Sequence, residues 1–101
     1  MVDIKLLVVG GDTDCKEFEL QLPTSIGRAR DASITLPHPL VSRKHCEIRW
    51  DKDSVVVVDL NSLNGTFIGK HRVSKATLGH GDLLTVGTVT FRAIYRGVVN
   101  A

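Results

Sequence analysis

Several features that would announce a particular chemistry are scarce in this 101-residue chain. Its two cysteines, Cys15 and Cys46, form no C-x-x-C pair, and His38, His45, His71 and His80 stand at no metal-ligand spacing. That argues against a zinc ribbon or finger and leaves no metal or cofactor assigned. Thiols so placed fit a reducing cytoplasm, with Cys46 a core filler and Cys15 in a polar loop. Aromatic residues are few, one Trp, one Tyr and three Phe, and none is interleaved with Arg28, Arg30, Arg43, Lys44 or Arg49. A nucleic-acid surface built on stacking platforms is therefore not expected. The longest apolar run, residues 4–9, is broken by Lys5, far short of the roughly 20 residues that span a bilayer. Asp3 and Lys5 also interrupt any signal-peptide core. Charge is nearly balanced, +2 with His neutral, too mild for a non-specific nucleic-acid binder yet compatible with a local anion site.

Helical periodicity is missing as well: no window keeps it for ten residues. What the chain does have is alternation. Residues 2–9 and 17–22 alternate and form a hairpin across a longer loop, with Phe18, Leu20 and Leu22 inward. Short strands follow at 26–28, 34–36, 46–50, 54–58, 66–68, 71–73, 83–86 and 89–95, separated by Gly, Pro, Asn and Asp. Pro23-Thr24-Ser25 ends the second strand, Gly27 marks a close backbone approach or bulge, and Pro37-His38-Pro39 holds its loop extended. Gly69-Lys70 suits a type II′ turn. Trp50 and Phe91 read as core. With 43% hydrophobic and 24% charged residues, the chain is one all-β domain, an antiparallel β-sandwich, with a core over about 5–95 and a tail at 97–101.

Alternate connections of a sandwich fall at one end. Three polar loops then share a site: Gly27-Arg28, Val41-Ser42-Arg43-Lys44-His45, and Ser62-Leu63-Asn64-Gly65. They supply two guanidiniums, a hydroxyl and a carboxamide, a donor set suited to a phosphate and the peptide backbone beside it. No nucleophile elbow surrounds Ser42 and no oxyanion glycine motif follows it, so Ser42 and His45 are not read as catalytic and the chain is not read as an enzyme.

Gly27-Arg28, Ser42-x-x-His45 and Asn64-Gly65, with Leu78-Gly79-His80-Gly81-Asp82 and Val86-Gly87 behind them, resemble the forkhead-associated (FHA) domain. The resemblance runs from about Lys5 to Tyr95. It implies an eleven-strand sandwich that binds phosphothreonine segments of partner proteins through its end loops, with a Ser/Thr kinase upstream. By position it implies that Arg28 and Ser42 bond the phosphate, Arg43 adds charge and Asn64 holds the peptide main chain. Gly27, His45 and Gly65 would be structural. Leu63 departs from the pattern, standing where many members place Thr, and with Leu40 it would form an apolar rim to the peptide. The alternative is a phosphate-independent protein-interaction scaffold.

Overall fold

The alternation does become strands. The computed structural model describes residues 2–11 and 17–97, and every regular element among them is a β-strand. One sheet contains β1 (Val2–Gly10), β2 (Glu17–Leu20), β7 (Thr66–Ile68), β8 (His71–Val73), β10 (Leu83–Val86) and β11 (Val89–Gly97), in the order β2-β1-β11-β10-β7-β8. The other contains β3 (Thr24–Gly27), β4 (Ile34–Thr35), β5 (Cys46–Asp51), β6 (Ser54–Asp59) and β9 (Lys75–Thr77), in the order β4-β3-β5-β6-β9. Cys15 and residues 98–101 of the expected tail lie outside the described residues, while Gly97, its expected first residue, closes β11 by pairing with Val2.

Period-two patterning fixes which side chains meet between the sheets. Ile4 and Leu6 of β1 face inward with Phe91 and Ala93 of β11 and Leu84 and Val86 of β10. Ile26, Cys46, Ile48, Val55 and Val57 close on them from the second sheet. Phe18 packs edge-on to Phe91 with ring centroids 6.1 Å apart, the geometry that aromatic quadrupoles favour. Cys46 is fully enclosed, and burial pushes its thiol up to about 12, so it stays protonated. Gly69 takes a positive φ of 59° at the β7–β8 turn, as a type II′ connection requires.

The structure departs from the sequence reading at five places. Pro23-Thr24-Ser25 does not simply end a strand: Thr24 opens β3, which pairs with β5 from Thr24↔Ile48 to Ile26↔Cys46. The β3–β4 pair is parallel, whereas the other strand pairs among the described residues are antiparallel. Pro37-His38-Pro39 is not held extended. Val41 N–H donates to His38 O at 3.0 Å, closing a turn whose second residue is Pro39, where a fixed φ is an advantage. Trp50 is 48% exposed; it lies beyond the stretch of β5 that pairs with β3, whose register starts at Thr24↔Ile48. Finally, Lys75–Thr77 is a strand with no apolar alternation, held at an edge by pairing with Val56 to Val58.

The difference between Phe91 and Trp50 is measurable. Phe91→Ala is expected to cost about 3–5 kcal/mol of stability, as buried aromatic truncations do, and Trp50→Ala less than about 1 kcal/mol. Urea unfolding followed by circular dichroism reads both, and similar losses would contradict the packing described.

Candidate functional site

The three loops named from the sequence do converge at one end of the sandwich, laced together largely by backbone hydrogen bonds. Gly27 closes β3 so near the neighbouring loop that a Cβ there would lie 2.1 Å from Arg43 O. That approach lets Arg28 N–H donate to Ser42 O at 2.9 Å, Ala29 N–H to Arg43 O at 3.1 Å and His45 N–H to Ile26 O at 3.0 Å. Any side chain at this position would push the second loop off the first. Beneath them the β10–β11 turn supports the 40–41 segment. A Cβ on Gly87 would meet Val41 Cγ2 at 2.7 Å.

His45 joins the second loop to the third. Its ring is fully buried; Nδ1 accepts from Ser42 N–H at 3.1 Å, and Nε2 lies 2.8 Å from Gly65 O. An acceptor at Nδ1 and a carbonyl at Nε2 together require the neutral ring with its proton on Nε2. Both nitrogens are thus committed to backbone groups, and the ring acts as a strut. Leu63 N–H donates to Ser42 Oγ at 3.0 Å, and Asn64 Nδ2 donates to Leu40 O at 2.9 Å, adding two further ties between the same loops.

The third loop has its own internal frame, which sequence reasoning missed. Asp59 accepts from Ser62 Oγ at 2.5 Å, Ser62 N–H at 3.1 Å and Thr66 Oγ1 at 2.7 Å. Ser62 Oγ in turn accepts from Gly65 N–H at 3.0 Å. Burial alone would raise the Asp59 carboxyl, but the bonds from Ser62 and Thr66 outweigh it and hold the carboxyl below its ordinary value. The spacing Asp-x-x-Ser was the available signal, since Asp side chains readily cap backbone N–H groups a few residues on.

Arg28, Arg43, Asn64, Leu40 and Leu63 are exposed on this platform and Ser42 is half-buried, while Gly27, His45 and Gly65 are buried within it. Arg28 Nε donates to Val41 O at 3.0 Å, which aims the guanidinium and leaves its two terminal nitrogens without a partner among the described residues. The Ser42 hydroxyl accepts from Leu63 but keeps its own proton to donate. Arg43 and Lys44 make no ion pair among the described residues. Chemically this is a shallow, cationic, donor-rich surface suited to a tetrahedral oxyanion. No cluster of three His, Cys, Asp or Glu side chains among the described residues could hold a metal ion, and no helix is long and apolar enough to cross a membrane.

Comparison with known proteins identifies the family. The FHA domain family model matches residues 24–87, and the chain belongs to that family. It is 45% identical to the FHA domain-containing protein FhaA of Mycobacterium tuberculosis over 62 residues, 61% of this chain and 12% of FhaA. It is 38% identical to the glycogen accumulation regulator GarA of Mycolicibacterium smegmatis over 91 residues, 89% of this chain and 56% of GarA. The chain therefore spans about half the length of GarA and a small part of FhaA. An FHA domain solved in work on phosphothreonine-dependent FHA domain interactions superposes with a TM-score of 0.84 at 32% identity, covering 95% of this chain and 99% of that one. It has the same all-β fold.

The depressed Asp59 carboxyl makes a pH prediction. A group whose folded value is lowered stabilises the fold above its ordinary value of 3.8, and that contribution is lost as pH falls through the folded value. Asp59→Asn should therefore melt below the wild type at neutral pH, and the gap should close on acidification past 3.8. Thermal melts across that range check it; a gap independent of pH would contradict the role given to the carboxylate.

Proposed function

We propose that this chain is a non-enzymatic binding module that reads phosphothreonine on a partner protein, with Arg28, Ser42 and Arg43 on the phosphate and Asn64 on the adjoining peptide backbone. The observation that carries the reading is Arg28. Its Nε is spent on Val41 O while, among the described residues, its terminal nitrogens and the hydroxyl proton of Ser42, the residue after Val41, have no partner. A phosphate near neutral pH carries about −1.5 to −2 charges and takes charge-assisted hydrogen bonds from such a group. Family membership and the likeness to an FHA domain studied for phosphothreonine-dependent interactions support the same ligand.

Asn64 is held by Leu40 O through Nδ2, which leaves its carbonyl oxygen and one N–H to engage a peptide main chain. Leu40, 47% exposed, and Leu63, 84% exposed, form the apolar rim beside it. The phosphate comes from a Ser/Thr kinase, so regulation lies with that enzyme, and the cytoplasm is the compartment this reading implies. The 101 residues act as one module, with no metal or cofactor taking part.

Replacing Arg28 by Ala should weaken a phosphothreonine peptide by about 10- to 100-fold, the range for losing a charge-assisted hydrogen bond, without changing the melting temperature appreciably. Fluorescence anisotropy with phosphorylated and dephosphorylated copies of one peptide reads the loss. Undiminished binding by the variant, or binding indifferent to the phosphate, would move the interaction to another surface and favour a phosphate-independent scaffold. If the threonine methyl is enclosed on binding, phosphothreonine should exceed phosphoserine by about fourfold, the equivalent of about 0.8 kcal/mol for one buried carbon. Equal affinities would show that the methyl is left in water.

A further inference from the structure

We infer that Arg72 is a specificity-determining residue of the proposed site, reading a second anionic group, carboxylate or phosphate, on the flank of the bound phosphopeptide that passes Asn64. This rests on the phosphothreonine reading above. Arg72 lies in the middle of β8, opposite Phe67 of β7, in a hairpin that none of the motif residues occupies. Its side chain is nevertheless brought to the binding end. A Cβ on Gly65 would sit 2.6 Å from Arg72 Nε and 3.0 Å from Cζ, so the guanidinium lies directly against the backbone that follows Asn64. Gly65, at a φ of 90°, leaves the space that the guanidinium occupies.

The charge there is uncommitted. Lys5, Arg49 and Lys75 each pair with a carboxylate, but Arg72, though exposed, has neither an ion-pair nor a hydrogen-bond partner among the described residues. The Asp59 carboxylate on the same loop accepts three hydrogen bonds from Ser62 and Thr66 and none from Arg72. A run of contacts links two cations to Asn64: Arg28 reaches Val41 O, the adjoining Leu40 O takes Asn64, and Gly65, next in the chain, lies against Arg72. A peptide anchored by its phosphate at Arg28 and by its backbone at Asn64, continuing past Gly65, would present its next side chains to Arg72. A guanidinium in that position favours an anion and disfavours a lysine.

The test is a set of phosphothreonine peptides in which one Asp is walked through each flanking position of an otherwise alanine sequence, with Lys and second-phosphate copies at the best position. Wild-type protein should prefer Asp over Ala by about two- to fivefold on one flank only, the strength of an exposed charge pair. The preference should shrink with added salt. Arg72→Gln, which keeps most of the stem over Gly65, should erase the ratio while still binding the alanine peptide. Arg72→Lys should retain part of the ratio, and Arg72→Glu should turn it toward Lys. Comparison of the Asp and second-phosphate copies tells which anion is taken. A wild-type ratio near one, or a ratio that survives Arg72→Gln, overturns the inference while phosphate-dependent binding itself stands. If no phosphopeptide binds at all, the underlying reading fails and this inference falls with it.

Discussion

A single neutral imidazole holds the binding end of this domain in shape. His45 accepts from the Ser42 amide on one nitrogen and bonds the Gly65 carbonyl with the other, in a position with no access to water. Those two backbone groups belong to different loops, so the ring fixes the distance between the Ser42 hydroxyl and the Asn64 carboxamide. Only one tautomer satisfies both contacts, and a protonated ring would set a donor against the Ser42 N–H. The ring is also fixed from its own backbone, because His45 N–H is tied to Ile26 O and its carbonyl accepts from Leu60.

The sandwich beneath contributes rigidity and little chemistry. Its core joins the paired strands β1 and β11 to β5 and β6, and every loop at the working end springs from a strand anchored in that core. The loops satisfy many of their polar groups with one another, and among the described residues the ends of Arg28, the proton of Ser42, part of Asn64 and the charges of Arg43, Lys44 and Arg72 have no partner. Preorganisation of this sort lowers the entropy lost on binding. Gly27 and Gly65 serve the same end by absence, one admitting a neighbouring backbone and the other a guanidinium.

Much of this was legible in the residues. Period-two alternation identified most strands, and the polar loops of Arg28, Ser42, His45 and Asn64 pointed to one shared end, although it is the parallel β3–β4 pair that brings the Arg28 and Ser42 loops to it. What escaped had physical reasons. Lys75–Thr77 is a strand because β6 offers it an edge, and its own composition says nothing of that. Trp50 has core parity, but parity does not say that it lies past the end of the β3 pairing, where it is half exposed. Pro39 constrains φ equally in extended chain and in a turn, and the Val41–His38 hydrogen bond settles which. The Asp59 frame escaped because Asp, Asn and Ser in a loop read as generic turn formers until their partners are known. Arg72 escaped because it belongs to a strand hairpin, and only the packing against Gly65 brings it to the site.

The most direct measurement is a two-dimensional nitrogen–proton spectrum of the labelled protein titrated with a phosphothreonine peptide. The account predicts the largest shifts at the Arg28 side-chain Nε, the amides of Ser42 to His45, and the amides of Leu63, Asn64 and Gly65. The β5–β6 turn at the opposite end, around Lys52, should stay still. Large shifts along the sheet faces or at that turn, with Arg28 and Ser42 unmoved, would contradict the account.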